Sequence, residues 1–346
     1  MSIYLVDPIG DLRWRTFVSQ HRCASLYHSP GWLQALHETY GYQPLVLTTS
    51  QPTEEISNGV VFCQVRSFIT GRRLVSLPFS DHCQPLVETE LEFRRFLAYL
   101  AKERDDNHWK YVEVRLREEQ SNLGTEFPRV KIFHFHDLDL GPSVEKLFGG
   151  FHKDSVQRKI RRAEREALRF AEGTSDELLE GFYSLVIQTR RRHGLLPQPR
   201  GWFQNLVKCF PGKLTIHVAS KDGCPVAAIL TLRHNDVLFY KYGGSDASYH
   251  NLGGMQALFW RVIQQAKSAG IRIFDLGRTD DGDFGLLTFK NRLGAHLTSL
   301  SYYRYPLCTQ TFETQDWKIR MLKEVFAKMS DRMLRASGNL LYRHLG

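Results

Sequence analysis

The chain repeats itself at long range. "GWLQALHETYGYQPLVLTTS" at 31–50 is matched by "GWFQNLVKCFPGKLTIHVAS" at 201–220, so Gly31, Trp32, Gln34 and Leu36 recur 170 residues later as Gly201, Trp202, Gln204 and Leu206. In both copies the spacing predicts an amphipathic helix leading into a β-rich run. The downstream segments recur in the same order. "NGVVFCQVR" (58–66) and "DGCPVAAILTLR" (222–233) each put a turn dipeptide ahead of a strand. "RLVSLPFSD" (73–81) and "VLFYKYGGSD" (237–246) each read as a strand ending in Ser-Asp. "FRRFLAYLAKERDDNHWKYVEVR" (93–115) and "ALFWRVIQQAKSAGIRIFDLGR" (257–278) each read as a helix, then a strand with an acid, Glu113 or Asp275. Helix, adjoining strands, helix, strand is the order of an α/β unit with helices on the faces of a mixed sheet. Two units of roughly 150 residues make a tandem duplication.

A chain of 346 residues with 42% hydrophobic and 24% charged content has room for two such domains and a sizeable core. The turn at Gly141-Pro142, after the strand-like "VKIFHFHDLDL", sets the expected boundary: residues 1–142 and 143–346. The tail "DWKIRMLKEVFAKMSDRMLRASGNLLYRHLG" (316–346) is expected to be an added amphipathic helix, with Ile319, Leu322, Phe326, Met329 and Met333 on one stripe. It packs on the core or lies on an anionic membrane surface. No apolar run is long enough to span a bilayer, and the start lacks a secretory pattern. The expected location is therefore cytoplasmic, with peripheral membrane contact as a variant. Cys23, Cys63, Cys83, Cys209, Cys224 and Cys308 are scattered without a C-x-x-C pair, so neither a disulfide framework nor a zinc site is expected.

The net charge of +9 is concentrated. Residues 151–200 hold eleven Lys/Arg against seven Asp/Glu, and residues 315–346 hold seven against three. Such surfaces attract anionic partners: nucleotides, RNA or acidic lipids. Arg158, Arg161, Arg162, Arg165 and Arg169 fall on one helical face, and Val156, Ile160, Ala163, Ala167 and Phe170 on another. A helix of that kind docks by its apolar stripe and offers guanidinium groups to phosphates, unless it is simply a solvated face.

The stretch "KYGGSDASYHNLGGMQALFW" (241–260) is the main candidate site. A helix starting near Gly253-Gly254 would present free backbone N–H groups, an anion site at Asn251, Gly253 and Gly254. The competing reading is a plain cap and turn. Asp246 is placed to orient or deprotonate an amine, and His250 titrates near neutrality. In "FDLGRTDDGD" (274–283), Arg278 sits at a strand end where it can hold an anionic group. Tyr242, His250 and Asp280 are placed with it on the substrate side. Asp280, Asp281 and Asp283 lack the closing Glu of a calcium loop, and His134 and His136, on one strand face, lack a third ligand, so no metal is expected.

Several of these pieces together resemble the FemABX family of peptidoglycan-bridge aminoacyltransferases and their FemAB-like and BioF2-like relatives found with exopolysaccharide systems. The likeness spans roughly 28–305 and is carried by "LPFSDHCQPL" (77–86), "SVQRKIRRAERE" (155–166), "TRRRHG" (189–194), the 240–278 stretch and "LTFKNRLGA" (287–295). The resemblance implies two tandem GNAT-like (acyl-CoA N-acyltransferase) domains. It implies an oxyanion-stabilising role for Lys290, in the F-K motif, and a substrate-pocket role for Arg192, by register with T-x-x-R. No heptad arm is evident, and "YHNLGGM" differs from the GNAT loop Q/R-x-x-G-x-G/A, so acyl-CoA and aminoacyl-tRNA both stand as co-substrates with no tightly bound cofactor. The expectation is a monomeric N-acyltransferase that moves an acyl or aminoacyl group onto an amine of a cell-wall precursor or surface polysaccharide. Its partner would be an anionic or lipid-linked substrate, with tRNA as a further one. The rival is a non-catalytic module binding RNA or a lipid-linked glycan through its basic face.

Overall fold

The computed structural model describes residues 2–117, 123, 127–306 and 316–346, with side chains from 322 onward in the last stretch. Cys308 and the side chain of Ile319 lie outside the described residues. The chain forms two compact units. Among the described residues the first takes everything up to Phe133, together with 299–306 and Arg343–Gly346; the second takes His134–Thr298 and 316–342.

In the first unit β1 (Tyr4–Val6), α1 (Leu12–Gln20), α2 (Pro30–Tyr40), β2 (Gln43–Thr48), β3 (Val60–Ser67), β4 (Gly71–Val75), α3 (Glu90–Asp106) and β5 (Val112–Leu116) follow one another. Strand β6 (Arg129–Asp139) carries the chain into the second unit, upstream of the Gly141-Pro142 turn. There come α4 (Val144–Gly150), α5 (Arg158–Arg165), β7 (Arg169–Gly173), α6 (Asp176–Arg192), α7 (Arg200–Cys209), β8 (Leu214–Lys221), β9 (Cys224–His234), β10 (Val237–Ser245), α8 (Gly254–Ser268), β11 (Ile273–Thr279) and α9 (Phe284–Arg292). Strand β12 (His296–Tyr305) leads back to the first unit, and α10 (Asp316–Lys328) and α11 (Asp331–Leu341) belong to the second.

The repeat read from the sequence is a repeat of packing. Trp32 and Leu36 of α2 are fully buried, and so are Trp202 and Leu206 of α7. Burying side chains of this size contributes about 1.5–3 kcal/mol each. Strands recur in the same order and sense. In the first unit β1, β2, β3 and β4 pair antiparallel in sequence, β4 pairs β5 in parallel, and β5 pairs β12 antiparallel. In the second, β7, β8, β9 and β10 pair antiparallel, β10 pairs β11 in parallel, and β11 pairs β6 antiparallel. Each unit is thus an α/β fold with helices flanking a six-stranded mixed sheet. Each sheet takes its sixth strand from the chain that follows the other copy. The β8–β9 hairpin turns through Asp222 and Gly223, both at positive φ (50° and 81°), the geometry that a two-residue turn requires.

Three local expectations are corrected. The basic helix stops at Arg165, because Ala167 adopts a left-handed conformation (φ 52°); Arg169 and Phe170 lie on β7 instead. Val156, Ile160 and Ala163 are buried as the stripe predicted. The C-terminal stretch is two helices, because the Ser330 hydroxyl caps a second helix at Asp331. Its expected stripe is therefore not continuous: Leu322 is 47% exposed and Met333 57%, whereas Leu334 is buried, in a helix whose Gly338 lies against the Pro197 carbonyl. Finally, "RLVSLPFSD" does not keep its strand to Ser-Asp. β4 ends at Val75, where Leu77 and Phe79 take positive φ (66° and 59°) around Pro78.

Candidate active site at the parting strands of the second unit

Strands β10 and β11 pair only over Val237–Phe239 and Ile273–Asp275. Beyond those residues β10 continues to Ser245 against β9 alone, and β11 continues to Thr279 against β6 alone. Both strands bulge where they part: the register shifts between Tyr240 and Tyr242 on β10, and between Asp275 and Gly277 on β11. A bulge bends and twists a strand locally, and that is how two parallel neighbours separate. The buried Asp275 carboxylate fixes the second bulge by accepting the Gly277 N–H at 2.7 Å, with Gly277 at φ 73°.

The first copy parts in the same place but closes the gap with its own chain. β4 and β5 pair over Leu74–Val75 and Val112–Glu113. The next residues run along β5: Ser76 N–H to the Glu113 carbonyl (2.8 Å), Arg115 N–H to Ser76 Oγ (2.8 Å), and Cys83 N–H to the Arg115 carbonyl (2.8 Å). Leu77, Ser80, His82 and Cys83 are buried there. Ser76 and Cys83 of the first copy therefore stay bonded along β5, while the Phe79 ring packs on Tyr40 and Tyr42.

In the second unit the end of β10 is gripped from α6. Asp246 N–H bonds the Val226 carbonyl (3.0 Å), so by alternation Ser245 and Gly243 point their N–H and C=O groups away from β9. The Thr189 hydroxyl accepts the Ser245 N–H at 2.9 Å, and Arg192 Nη1 donates to the Ser245 carbonyl at 3.0 Å. These two residues are the T-x-x-R element. Partial burial pulls Arg192 below its ordinary value, and Asp246 opposes the shift. Asp246 caps the short 3₁₀ turn 247–252 through the Ser248 N–H (2.9 Å), and His250 Nε2 lies 2.9 Å from Ser245 Oγ. Arg192, Asp246 and His250 thus meet around Ser245, the serine of the repeated Ser-Asp strand end, to which the sequence assigned no chemical role.

The loop glycines are packed against the chain itself. Gly253 is left-handed (φ 82°), and a Cβ there would overlap the Lys159 carbonyl of α5, standing 2.8 Å from its carbon. Lys159 Nζ closes the same junction from its other side by donating to the His250 carbonyl at 2.9 Å. Gly254 lies against Val226 and Ala227, and Asn251 is exposed.

Lys290, the Lys of the F-K motif, is buried. Its ammonium donates to the Gly277 carbonyl (2.8 Å), the Arg278 carbonyl (3.0 Å) and Thr279 Oγ1 (2.9 Å), tying α9 to the end of β11. A substrate oxygen would reach an N–H there only by displacing one of these acceptors. Arg278 and Asp280 pair at 3.1 Å on the same strand end. Tyr242 lies on the opposite face of β10, where its hydroxyl accepts from Trp202 Nε1 at 2.8 Å and its ring meets Phe203 edge-on. His136, fully buried, shares a bond with Asn291 Oδ1 at 2.9 Å, and burial lowers its pKa. Among the described residues no group of three or more His, Cys, Asp or Glu side chains is disposed to hold a metal ion. No helix among them is long and apolar enough to cross a membrane.

Residues 151–291, the stretch that holds this site, match the family described as "Acetyltransferase (GNAT) domain". No curated protein sequence is matched. Among solved structures, FemX superposes with TM-score 0.67 at 12% identity, covering 91% of this chain and 99% of that one. The C-terminal domain (DUF2156) of a putative lysylphosphatidylglycerol synthetase from Agrobacterium fabrum gives 0.57 at 14%, covering 86% and 92%. A tandem GNAT protein from the clavulanic acid biosynthesis pathway gives 0.55 at 9%, covering 88% and 98%. The likeness to these structures shows a GNAT-like fold, and the match at 151–291 places an acetyltransferase-like GNAT domain in the second unit. The parting of β10 and β11 falls inside the stretch matched to that domain.

Proposed function

We propose that this chain is an N-acyltransferase built of two tandem GNAT-like domains, of the FemAB-like kind, which moves an acyl or aminoacyl group onto an amine of a cell-wall precursor or surface polysaccharide. The observation that carries the reading is the parting of β10 and β11, with the Gly243 N–H and C=O turned away from β9, whereas in the first copy Ser76 and Cys83 keep the chain bonded along β5. A carbonyl placed against that edge meets the Gly243 backbone N–H held in fixed geometry, and such a donor stabilises the tetrahedral oxyanion. Lys290 contributes its charge at the end of β11, held in place by its three acceptors. Arg192 and Arg278 hold anionic parts of the substrate.

The donor is an acyl-CoA or an aminoacyl-tRNA. Because the Lys159 main chain fills the approach at Gly253, the donor phosphates are better met by the exposed guanidinium groups of Arg158, Arg161 and Arg165 on α5. The protein works as a monomer in the cytoplasm, in contact with the membrane surface when its acceptor is lipid-linked. The test is transfer by the purified chain from acetyl-CoA or alanyl-tRNA to a UDP-linked muropeptide, read by the mass gained on the acceptor amine. Binding of tRNA or a lipid-linked glycan with no transfer from either donor would replace this reading with that of a non-catalytic binding module.

A further inference from the structure

One face of β10 carries groups that the roles above leave unused. Successive strand residues alternate between faces. Gly244 and Tyr242 face α6 and α7: a Cβ on Gly244 would stand 2.5 Å from the Leu185 carbonyl carbon, and Tyr242 meets Trp202 and Phe203. The other face, toward α8, holds Gly243 and Ser245, and the bulge at Lys241 brings Tyr240 onto it as well. The Tyr240 ring packs edge-on against Phe259 of α8, with centroids 4.9 Å apart. Its hydroxyl occupies the place that a Gly243 Cβ would take. Among the described residues that hydroxyl has no hydrogen-bond partner, although the side chain is half-buried. Two positions on, about 7 Å along the strand, Ser245 Oγ meets His250 Nε2 at 2.9 Å.

We infer that this row is the reacting face: the acyl carbonyl lies at the Gly243 N–H edge, the Tyr240 hydroxyl donates to its oxygen, and His250 takes the proton of the attacking amine through Ser245 Oγ. The assignment rests on the acyl-transfer reading. The bare Gly243 is what lets the Tyr240 hydroxyl lie against the strand next to the Gly243 main chain. The amine nitrogen attacks the carbonyl carbon, and the C–O π pair moves onto oxygen, where the phenol hydrogen bond and the Gly243 N–H hold it. The new C–N bond leaves a proton in excess on nitrogen. Ser245 accepts that proton while passing its own to His250 Nε2. When the oxyanion collapses, the bond to the leaving oxygen or sulfur breaks, and the imidazolium returns the proton to that atom through Ser245. The products are an amide and the free alcohol or thiol, with no other reactant needed.

The surroundings suit these roles. Burial pushes Tyr240 up to about 12, against the pull of Arg190 from α6, so the phenol stays a donor. Burial also holds His250 below its ordinary value; Arg192 from α6 and Lys159 from α5 act in the same direction and Asp246 opposes them. The imidazole is therefore neutral at pH 7 and able to accept.

The test compares wild type with His250→Ala, Ser245→Ala and Tyr240→Phe, using whichever of acetyl-CoA or alanyl-tRNA supports transfer to the UDP-linked muropeptide. His250→Ala is expected to lose roughly 100-fold or more in kcat/KM, to lose the wild-type acid limb below pH 6.5, and to regain rate with added imidazole. Tyr240→Phe is expected to lose roughly 100-fold in kcat with KM kept and the acid limb intact. Ser245→Ala should flatten the same limb as His250→Ala. Melting temperatures keep structural damage apart from these readouts. Active His250→Ala and Ser245→Ala proteins that retain the acid limb would overturn the inference while leaving the acyl-transfer reading standing. A wild type inert toward both donors would overturn that reading, and this one with it.

Discussion

Gly253→Ala separates two explanations of the glycine-rich loop. If the glycine makes room for a ligand, the substitution removes binding and spares the fold. The structure assigns the room to the main chain of α5, so the fold itself should suffer. The residue sits at φ 82°, where an alanine costs about 1–2 kcal/mol. Its Cβ would also overlap the Lys159 carbonyl, a main-chain group that a side-chain rotation cannot relieve. Overpacking of that kind costs about 1–3 kcal/mol. The sum is about 2–5 kcal/mol, or a fall in Tm of roughly 10 °C at about 2–4 °C per kcal/mol for a unit of this size. Gly270 supplies the control, because it is also left-handed (φ 74°) but has nothing within 4 Å of a Cβ. Gly270→Ala should lose only the conformational part, about 1–2 kcal/mol. Thermal and urea unfolding of both variants reads the difference directly. Equal losses in the two proteins would show that α5 does not pack on this loop as described.

The same contacts dictate further outcomes. Lys290→Met strands three buried acceptors and should cost about 2–4 kcal/mol in urea unfolding as well as lowering transfer; unchanged unfolding would contradict the three bonds to Gly277, Arg278 and Thr279. Gly244→Ala sets a Cβ 2.5 Å from the Leu185 carbonyl carbon and should lower Tm by several degrees, whereas Gly223→Ala, in open space, should lower it less. Burial holds His234 down at about 4, so the folded chain binds fewer protons than the unfolded one between pH 6.5 and 4. The stability this residue contributes is therefore complete above pH 6.5 and is lost as the pH falls through 4, by at most about 3 kcal/mol. A His234→Gln protein should show a shallower decline over that window.

How much of the fold was legible in the chain depends on where each element finds its partners. The duplicated "GW-Q-L" signature was readable because Trp32 and Trp202 serve the same buried role in the same helix position. The paired order of strands was readable for the same reason, since local patterning sets where a strand begins and ends. What failed were features decided by distant partners. Nothing in "HFHDLDL" says that β6 pairs with β11, 134 positions away at the Asp139–Ile273 contact. The end of the basic helix at Ala167 is a single left-handed residue of a type that ordinarily favours helix. At the candidate site, Asp246 and His250 were singled out by type and Arg192 by its register with T-x-x-R, but their common anchor was not. Ser245 became visible only when α6 was seen to grip it from the side. Tyr240 was hidden by a one-residue bulge, which reverses the alternation that a sequence reader would count.

The exchanged sixth strands also set a timetable for synthesis. The first sheet is complete only when β12 arrives, and Ser301, which faces Leu116 of β5, lies 185 residues further along the chain. At about 5–20 residues per second, a ribosome takes roughly 10–40 s to deliver it. For that interval β5 is an unpaired edge with a run of exposed N–H and C=O groups, a template for pairing with another nascent copy. A gene truncated anywhere before residue 296 would make that exposure permanent.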